Sequence, residues 1–394
     1  MIPTLFGSLN FPVSCVAWGR RLLQGPHVLY ASGVRPELED VLTRGGHREG
    51  FAACADVPAW LIYGAGNKGR ALATFLRSHG RTVAGFIDRR RVALPDATVW
   101  TTESALSGGA PQVPVLIGVH SPGAPVAPIK AQLLAEGFTS VWTLPEVIDT
   151  WPALRHFWLA PSSALTSRGP ELGAAFDRLA DEASRALFLA LIRQRLLGDF
   201  AGLPEPDVAN QYHPADLPSL PKDLAFIDCG AYVGDTVTAL RAAGHTLTRL
   251  AAFEPDLANF KQLTRVASGV RGALFPCGVW HETTQLRFSS DDAAGHVSET
   301  GDLVVPVVAL DEVLPDFQPD FIKLDVEGAE PRALDGARGM IAASRPRLAV
   351  SAYHEPEHLF SLLLQLDGWA LGYRFFLRSH AHNGFDTVLY AVPS

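Results

Sequence analysis

Apolar residues in the second half of the chain come in short runs that end in an acid or a glycine, separated by stretches with the three-or-four spacing of helices. The clearest run enters Phe226-Ile-Asp-Cys-Gly-Ala-Tyr-Val-Gly-Asp235, where Gly230, Ala231 and Gly234 interrupt it before a helix-like segment over 235–240. The pattern predicts strand, turn, helix. Further strands are predicted at 249–254, 273–278, 320–326 and 347–353, with helices over 257–266 and from Pro331 to 343. Short strands at 285–289 and 303–307 read as an insertion, and 372–377 with 387–391 as a terminal antiparallel pair. Alternating strands and helices point to helices flanking a mostly parallel sheet, closed here by an antiparallel hairpin.

The first half repeats the theme. A strand through Trp60 runs into Gly64, Gly66 and Gly69, with the spacing of the dinucleotide fingerprint, and a helix follows over 71–78. The next strand, 82–88, ends in Asp88, about twenty residues past the last glycine. Strands at 113–119 and 138–143, with a helix at 129–136, complete a small parallel sheet. Residues 1 to 58 show short apolar pieces broken by Gly and Pro and are expected to cap it. Over 170–200, Leu172, Phe176, Leu179, Ala183, Leu187, Leu191 and Ile192 predict one bridging helix, and the Pro- and Asp-rich 202–221 reads as an ordered crossing segment or a linker. The expected class is α/β with two Rossmann-like domains: 1–150, a bridge over 151–222, and 223–394.

Composition adds limits. The 394 residues carry a net charge of −8 and no long run of Lys or Arg, so a nucleic-acid backbone is not the expected partner, whereas a small-molecule or saccharide substrate is. Four cysteines, Cys15, Cys54, Cys229 and Cys277, have no paired spacing, which suggests a reducing, cytoplasmic setting. No apolar run is long enough to predict a membrane span, and the first residues lack a basic start.

The turn at Gly230 lacks the Gly-x-Gly-x-x-Gly spacing, and Asp228 and Asp235 would repel a pyrophosphate. Those acids suit a ligand with a cationic amino-acid end, such as S-adenosylmethionine. Glu254, at the tip of the next strand, is placed to accept from two ribose hydroxyls. In the first half, Asp88 followed by Arg89, Arg90 and Arg91 leaves open NAD(P), with an oxidoreductase as the alternative, or a docking module without cofactor.

Phe226-Ile-Asp-Cys-Gly-Ala-Tyr-Val-Gly-Asp235, Phe253-Glu-Pro-Asp256 and Phe321-Ile-Lys-Leu-Asp-Val-Glu-Gly-Ala-Glu330 together resemble the FkbM family of S-adenosylmethionine-dependent methyltransferases over roughly 212–392. Tyr353-His-Glu-Pro-Glu-His358 and Phe376-Leu-Arg-Ser-His380 look like the branch with an extra N-terminal Rossmann-like domain. The resemblance implies a class I methyltransferase fold and methylation of a hydroxyl, commonly on a sugar, glycan or polyketide-type product. It also implies that Asp228, Gly230, Ala231, Gly234 and Asp235 surround the cofactor's methionine part, that Glu254 holds its ribose, and that Pro255 and Asp256 flank the adenosine. Lys323, Asp325, Glu327 and Glu330 fall at the rim of the fourth main strand, with their roles open.

Methyl transfer to a hydroxyl needs a group to take its proton. Asp325 is the first candidate and His354 the second; Lys323 pairs with Asp325 or meets substrate. Asp325 and Glu327 alternate by two and could share a divalent cation, while Glu330, beside Pro331, reads as a helix cap. Tyr212 either packs or closes over the cofactor, and His380 and His382 read as surface residues.

Overall fold

The computed structural model describes residues 34–46, 53–90, 92–108, 112–289, 296–297 and 303–394; Cys15, Arg91 and most of the expected N-terminal cap lie outside them. Two compact units result. One takes the described residues up to His120, Val126–Ser167 and Ile192–Asp199; the other takes Ser121–Pro125, Arg168–Leu191 and Phe200–Ser394. The division falls within the helix Glu182–Leu197.

The first unit contains β1 (Ala59–Tyr63), β2 (Thr82–Ile87), β3 (Val99–Trp100), β4 (Val115–Ile117) and β5 (Val141–Trp142). They form one parallel sheet in the order β3-β2-β1-β4-β5. Trp60, Leu61 and Ile62 are fully buried, as expected of a parallel strand covered on both faces. The two-residue β3 and the helix Thr102–Ser107 are too short to leave a periodic signal and are additions to the expected elements. After β1 the chain turns into the helix Asn67–Ser78. A Cβ on Gly69 would lie 1.9 Å from the Gly64 carbonyl oxygen, so only glycine lets helix and turn approach this closely.

The second unit is built on β6 (Asp223–Cys229), β7 (Thr246–Phe253) and β8 (Gly272–Phe275), then β13 (Phe321–Leu324), β14 (Arg347–Ser351), β15 (Tyr373–Ser379) and β16 (Thr387–Pro393). Their order is β15-β16-β14-β13-β6-β7-β8. β16 runs antiparallel to both neighbours, so the expected hairpin is present with its second strand inserted beside β14. A separate four-stranded sheet holds β9 (Gly278–Val279), β10 (Thr284–Ser289), β11 (His296–Val297) and β12 (Leu303–Val308). The core against one face joins Phe226, Val237, Leu240, Leu263, Phe321 and Tyr390 to Tyr212, Leu217 and Leu220 of the segment before β6. The 202–221 stretch is therefore packed structure.

The single helix expected over 170–200 is two, Gly169–Arg178 and Glu182–Leu197. Between them the chain extends, and the Ala180 N–H donates to the Phe375 carbonyl at the open edge of β15. The Asp181 carboxylate then accepts from the Ser184 N–H and starts the second helix. Similarly, the helix expected from Pro331 is divided into Glu330–Asp335 and Arg338–Ser344. The helix His358–Gly368 was not among the expected elements, because a near-continuous apolar run over 359–363 does not separate buried helix from strand.

Gly69→Ala is expected to destabilise the protein by roughly 2 kcal/mol or more, while Gly66→Ala, with no atom within 4 Å of the added Cβ, is near neutral; urea unfolding compares them. Equal effects would remove the steric account of this turn.

Candidate active site

β6 and β13 are neighbours, and their register sets Asp228 directly beside Lys323. Both side chains are shut away from solvent, with Lys323 Nζ 3.2 Å from Asp228 Oδ1 and 4.0 Å from Asp325 Oδ2. The same ammonium donates to the Gly230 carbonyl and lies 5.3 Å above the centre of the Tyr212 ring. Burial opposes the lysine's charge, but Asp228, Asp325 and Asp235 outweigh it and raise its pKa. Burial in turn pushes Asp228 up to about 6 against the pull of Lys323.

The Gly230 turn closes against this centre. Gly230 has φ of 76°, and a Cβ there would sit 1.9 Å from the Asp325 carbonyl oxygen. Glu254, just past β7, accepts at 2.8 Å from the Tyr232 N–H through Oε2 and at 2.8 Å from the Asp256 N–H through Oε1. Asp256 caps the helix Leu257–Val266 by accepting from the N–H groups of Ala258 and Asn259. Tyr232 and Leu257, both exposed, flank the Glu254 clasp as large apolar surfaces. Ala231 is buried behind the turn, while Asp235 opens the helix Asp235–Ala242.

Past β13 the chain reaches Asp325, whose side chain is 25% exposed. The Tyr212 hydroxyl donates to its Oδ2 at 2.9 Å. Burial would raise the Asp325 pKa, but Lys323 and His354 reverse this and hold it below the usual carboxylate range. Glu327 is about half exposed, and its pKa is raised by burial, with His354 pulling the other way.

Glu330 is fully buried and organises the opposite side. Its carboxylate accepts from the Val326 N–H at 2.9 Å, the Gly328 N–H at 3.1 Å and His354 Nδ1–H at 2.8 Å, with His358 Nδ1 3.3 Å away. It thus fastens the loop before the helix, where the sequence had suggested a cap on the helix's own N–H groups. His354 Nε2 lies 3.5 Å from Asp325 Oδ1 and 3.5 Å from Glu327 Oε2. Burial disfavours the charged ring, yet Glu330, Asp325 and Glu327 together raise its pKa to about 10. Asp325, Glu330 and His354 each place a ligand atom within 4.8 Å of the other two, a grouping that a divalent cation could use.

Asp386 and Tyr353 join this edge. Burial and then Asp325 push Asp386 up to about 6, with the Tyr353 hydroxyl donating to it. Tyr212, Tyr232, Glu327 and Asp386 all have φ between 46° and 73°, so strained backbone collects around one site. No local signal in the sequence marks Asp386 or joins Tyr212 to Asp325. His380 is buried, with Nδ1 on the Asp207 carbonyl and Nε2 on the Tyr390 hydroxyl, so it is a structural residue of the interior.

In the first unit the Asp88 carboxylate accepts at 2.8 Å from the Ala65 N–H and at 2.8 Å from the Arg90 N–H. Lys68 Nζ donates to the His120 carbonyl, and Arg89 Nε to the Tyr63 hydroxyl.

A seven-stranded sheet with one reversed strand, a glycine turn after its first strand and an acid clasping that turn define a class I methyltransferase unit. Residues 228–375 match the family model described as Methyltransferase FkbM domain, and this chain carries such an S-adenosylmethionine-dependent methyltransferase domain. The fold is shared with a solved structure, Methyltransferase FkbM from Methylobacillus flagellatus KT, at 20% identity and a TM-score of 0.70, covering 91% of this chain and 100% of that one. Weaker likenesses include Aeropyrum pernix fibrillarin with natively bound S-adenosyl-L-methionine (12% identity, TM-score 0.28, 45% of this chain and 70% of that). A TehB-like SAM-dependent methyltransferase from Corynebacterium glutamicum is similarly distant (14% identity, TM-score 0.26, 44% and 82%). A search of curated proteins returned no match. Among the described residues no helix is long and apolar enough to cross a membrane.

Folding raises His354 from its ordinary 6.5 to about 10, so its contribution to stability is complete below pH 6.5 and is lost as the pH climbs towards 10. Urea unfolding should therefore lose on the order of a few kcal/mol between these limits, and His354→Gln should flatten the profile. A wild-type profile as flat as the variant's would overturn the assignment. Lys323→Met should cost roughly 3–5 kcal/mol in the same assay, because it leaves buried Asp228 without its cation.

Proposed function

We propose that this protein transfers a methyl group from S-adenosylmethionine to a hydroxyl of a saccharide or related metabolite. The observation that carries the reading is the contact of two elements: the glycine turn clasped by Glu254 lies directly against the backbone of Asp325. The residues fit the cofactor's chemistry. Each Glu254 oxygen takes one backbone N–H and keeps a lone pair for a ribose hydroxyl, and Gly230 lets backbone approach a ligand. Exposed Asp235 supplies negative potential for an ammonium group, while Asp228, buried against Lys323, supports the turn from behind; Pro255, Asp256 and exposed Tyr232 flank the position of the adenosine.

When bound, the cofactor supplies an activated methyl group, and the chain aligns the acceptor oxygen with it. Asp325 accepts the acceptor's hydrogen bond and takes its proton. A carboxylate of low basicity suffices, because the hydroxyl proton becomes strongly acidic as the oxygen gives up its electron pair to the methyl. His354, an imidazolium at neutral pH, holds Asp325 and Glu327 in place, and Lys323 fixes Asp325 relative to the Gly230 turn. Glu327 faces solvent and is positioned for the substrate; a divalent cation among Asp325, Glu330 and His354 would need the His354 ring in its neutral form, and would then act on the same hydroxyl. The buried free thiols of Cys54, Cys229 and Cys277 support a reducing, cytoplasmic setting.

Calorimetric titration with S-adenosylmethionine and S-adenosylhomocysteine should show binding that weakens at least about tenfold in Glu254→Ala. Unchanged affinity would remove the cofactor assignment. Asp325→Asn should keep cofactor affinity within about threefold and lower kcat on a saccharide acceptor with a free hydroxyl roughly 10²–10⁴-fold. Full activity in that variant would rule out Asp325 as the proton acceptor.

A further inference from the structure

The second unit contains a cavity of about 380 Å³ close to the amino-terminal ends of β7 and β14. One wall is the segment before β6, with Asn210 and His213; another is the helix Asp235–Ala242 with Ala239, followed by His245; Arg347, the first residue of β14, completes it. Among the described residues lining it there is no Asp or Glu. Asp207, which touches the lining residue Asn210, is engaged by that side-chain amide through both oxygens.

Arg347 is only 6% exposed, yet no carboxylate among the described residues pairs with it. Elsewhere in the unit buried Lys323 has Asp228, and partly buried Arg378 has Asp181. The Arg347 guanidinium donates through Nη2 to the Pro218 carbonyl and keeps further N–H donors in a planar fork suited to phosphate or carboxylate. His245 donates from Nδ1 to the Pro221 carbonyl, which leaves Nε2 for another partner. Two of the terminal carbonyls of the adjoining helix are already taken. The Gly244 N–H takes that of Arg241 and the His245 N–H that of Leu240, the reciprocal bonds of a Schellman cap.

We propose that this cavity is a second ligand site, binding a small metabolite through a phosphate or carboxylate group held by Arg347, His213 and His245. It is separate from the site of methyl transfer. Arg347 opens β14 and Ser351 closes it, roughly 13 Å further along, before the chain reaches His354. The cavity wall nevertheless leads to the candidate base, since His213 follows Tyr212, whose hydroxyl donates to Asp325.

The test is calorimetric titration of the full chain with inorganic phosphate, and separately with citrate, in the presence and absence of S-adenosylhomocysteine. Wild type should show one saturable site for at least one of these anions under both conditions. Arg347→Gln should weaken it at least about tenfold. Because that variant also loses the bond to Pro218, Ala239→Glu is the second arm; it leaves Arg347 intact and puts a carboxylate into the cavity wall, and should weaken the anion to the same degree. No saturable binding to wild type, or undiminished binding in Ala239→Glu, would overturn the proposal.

Discussion

Lys323 lies within the seven-stranded sheet with its ammonium closed off from water, and a buried cation is tolerated there only with anions around it. Asp228 stands beside it on β6, Asp325 follows it two residues on, and the Gly230 carbonyl takes one of its hydrogens. Because these partners head different loops, one charge ties the glycine turn to the candidate catalytic edge. Glu330 is the counterpart of opposite sign. Buried among His354, His358 and two backbone N–H groups, it draws the Val326–Gly328 turn against the end of β14. Each centre is held by the field of its neighbours, which is why Asp325 stays ionised at a largely enclosed position.

The two units share one local device. In each, the acid just beyond the second strand accepts from an amide in the turn after the first strand and from the amide two residues ahead of itself: Asp88 from Ala65 and Arg90, Glu254 from Tyr232 and Asp256. Parallel neighbouring strands bring these groups together, so the clasp follows from the fold and does not by itself specify a reaction. The difference lies on the other side of the first strand. β13 is followed by Asp325 and Glu327, whereas β4 is followed by Gly118 and Val119, with no carboxylate.

Much of the architecture was legible because strands of a parallel sheet are nearly unbroken apolar runs. The runs through Trp60, Phe226 and Phe321 locate the centres of both sheets. What escaped was decided by length or by partners. β3 has two residues and cannot show a period, and the long helical pattern over 170–200 conceals a break made by pairing with β15. His380 looked like a surface residue because its neighbours in sequence are polar, but its contacts are Asp207 and Tyr390.

The sequence alone determined the glycine turn, the acid at Glu254 and the Lys323-to-Glu330 run, because each depends on residues close together in the chain or at a fixed spacing. Tertiary structure decided which of those acids bear charge and what they touch. Tyr212 reaches Asp325 across 113 residues, and Glu330 meets His354 across 24. The proton affinities of Asp325, Asp386 and His354 depend on burial and on charges brought in by other strands. A local pattern carries a residue's identity and its face; the surrounding dielectric and the distant partner exist only once the chain has folded.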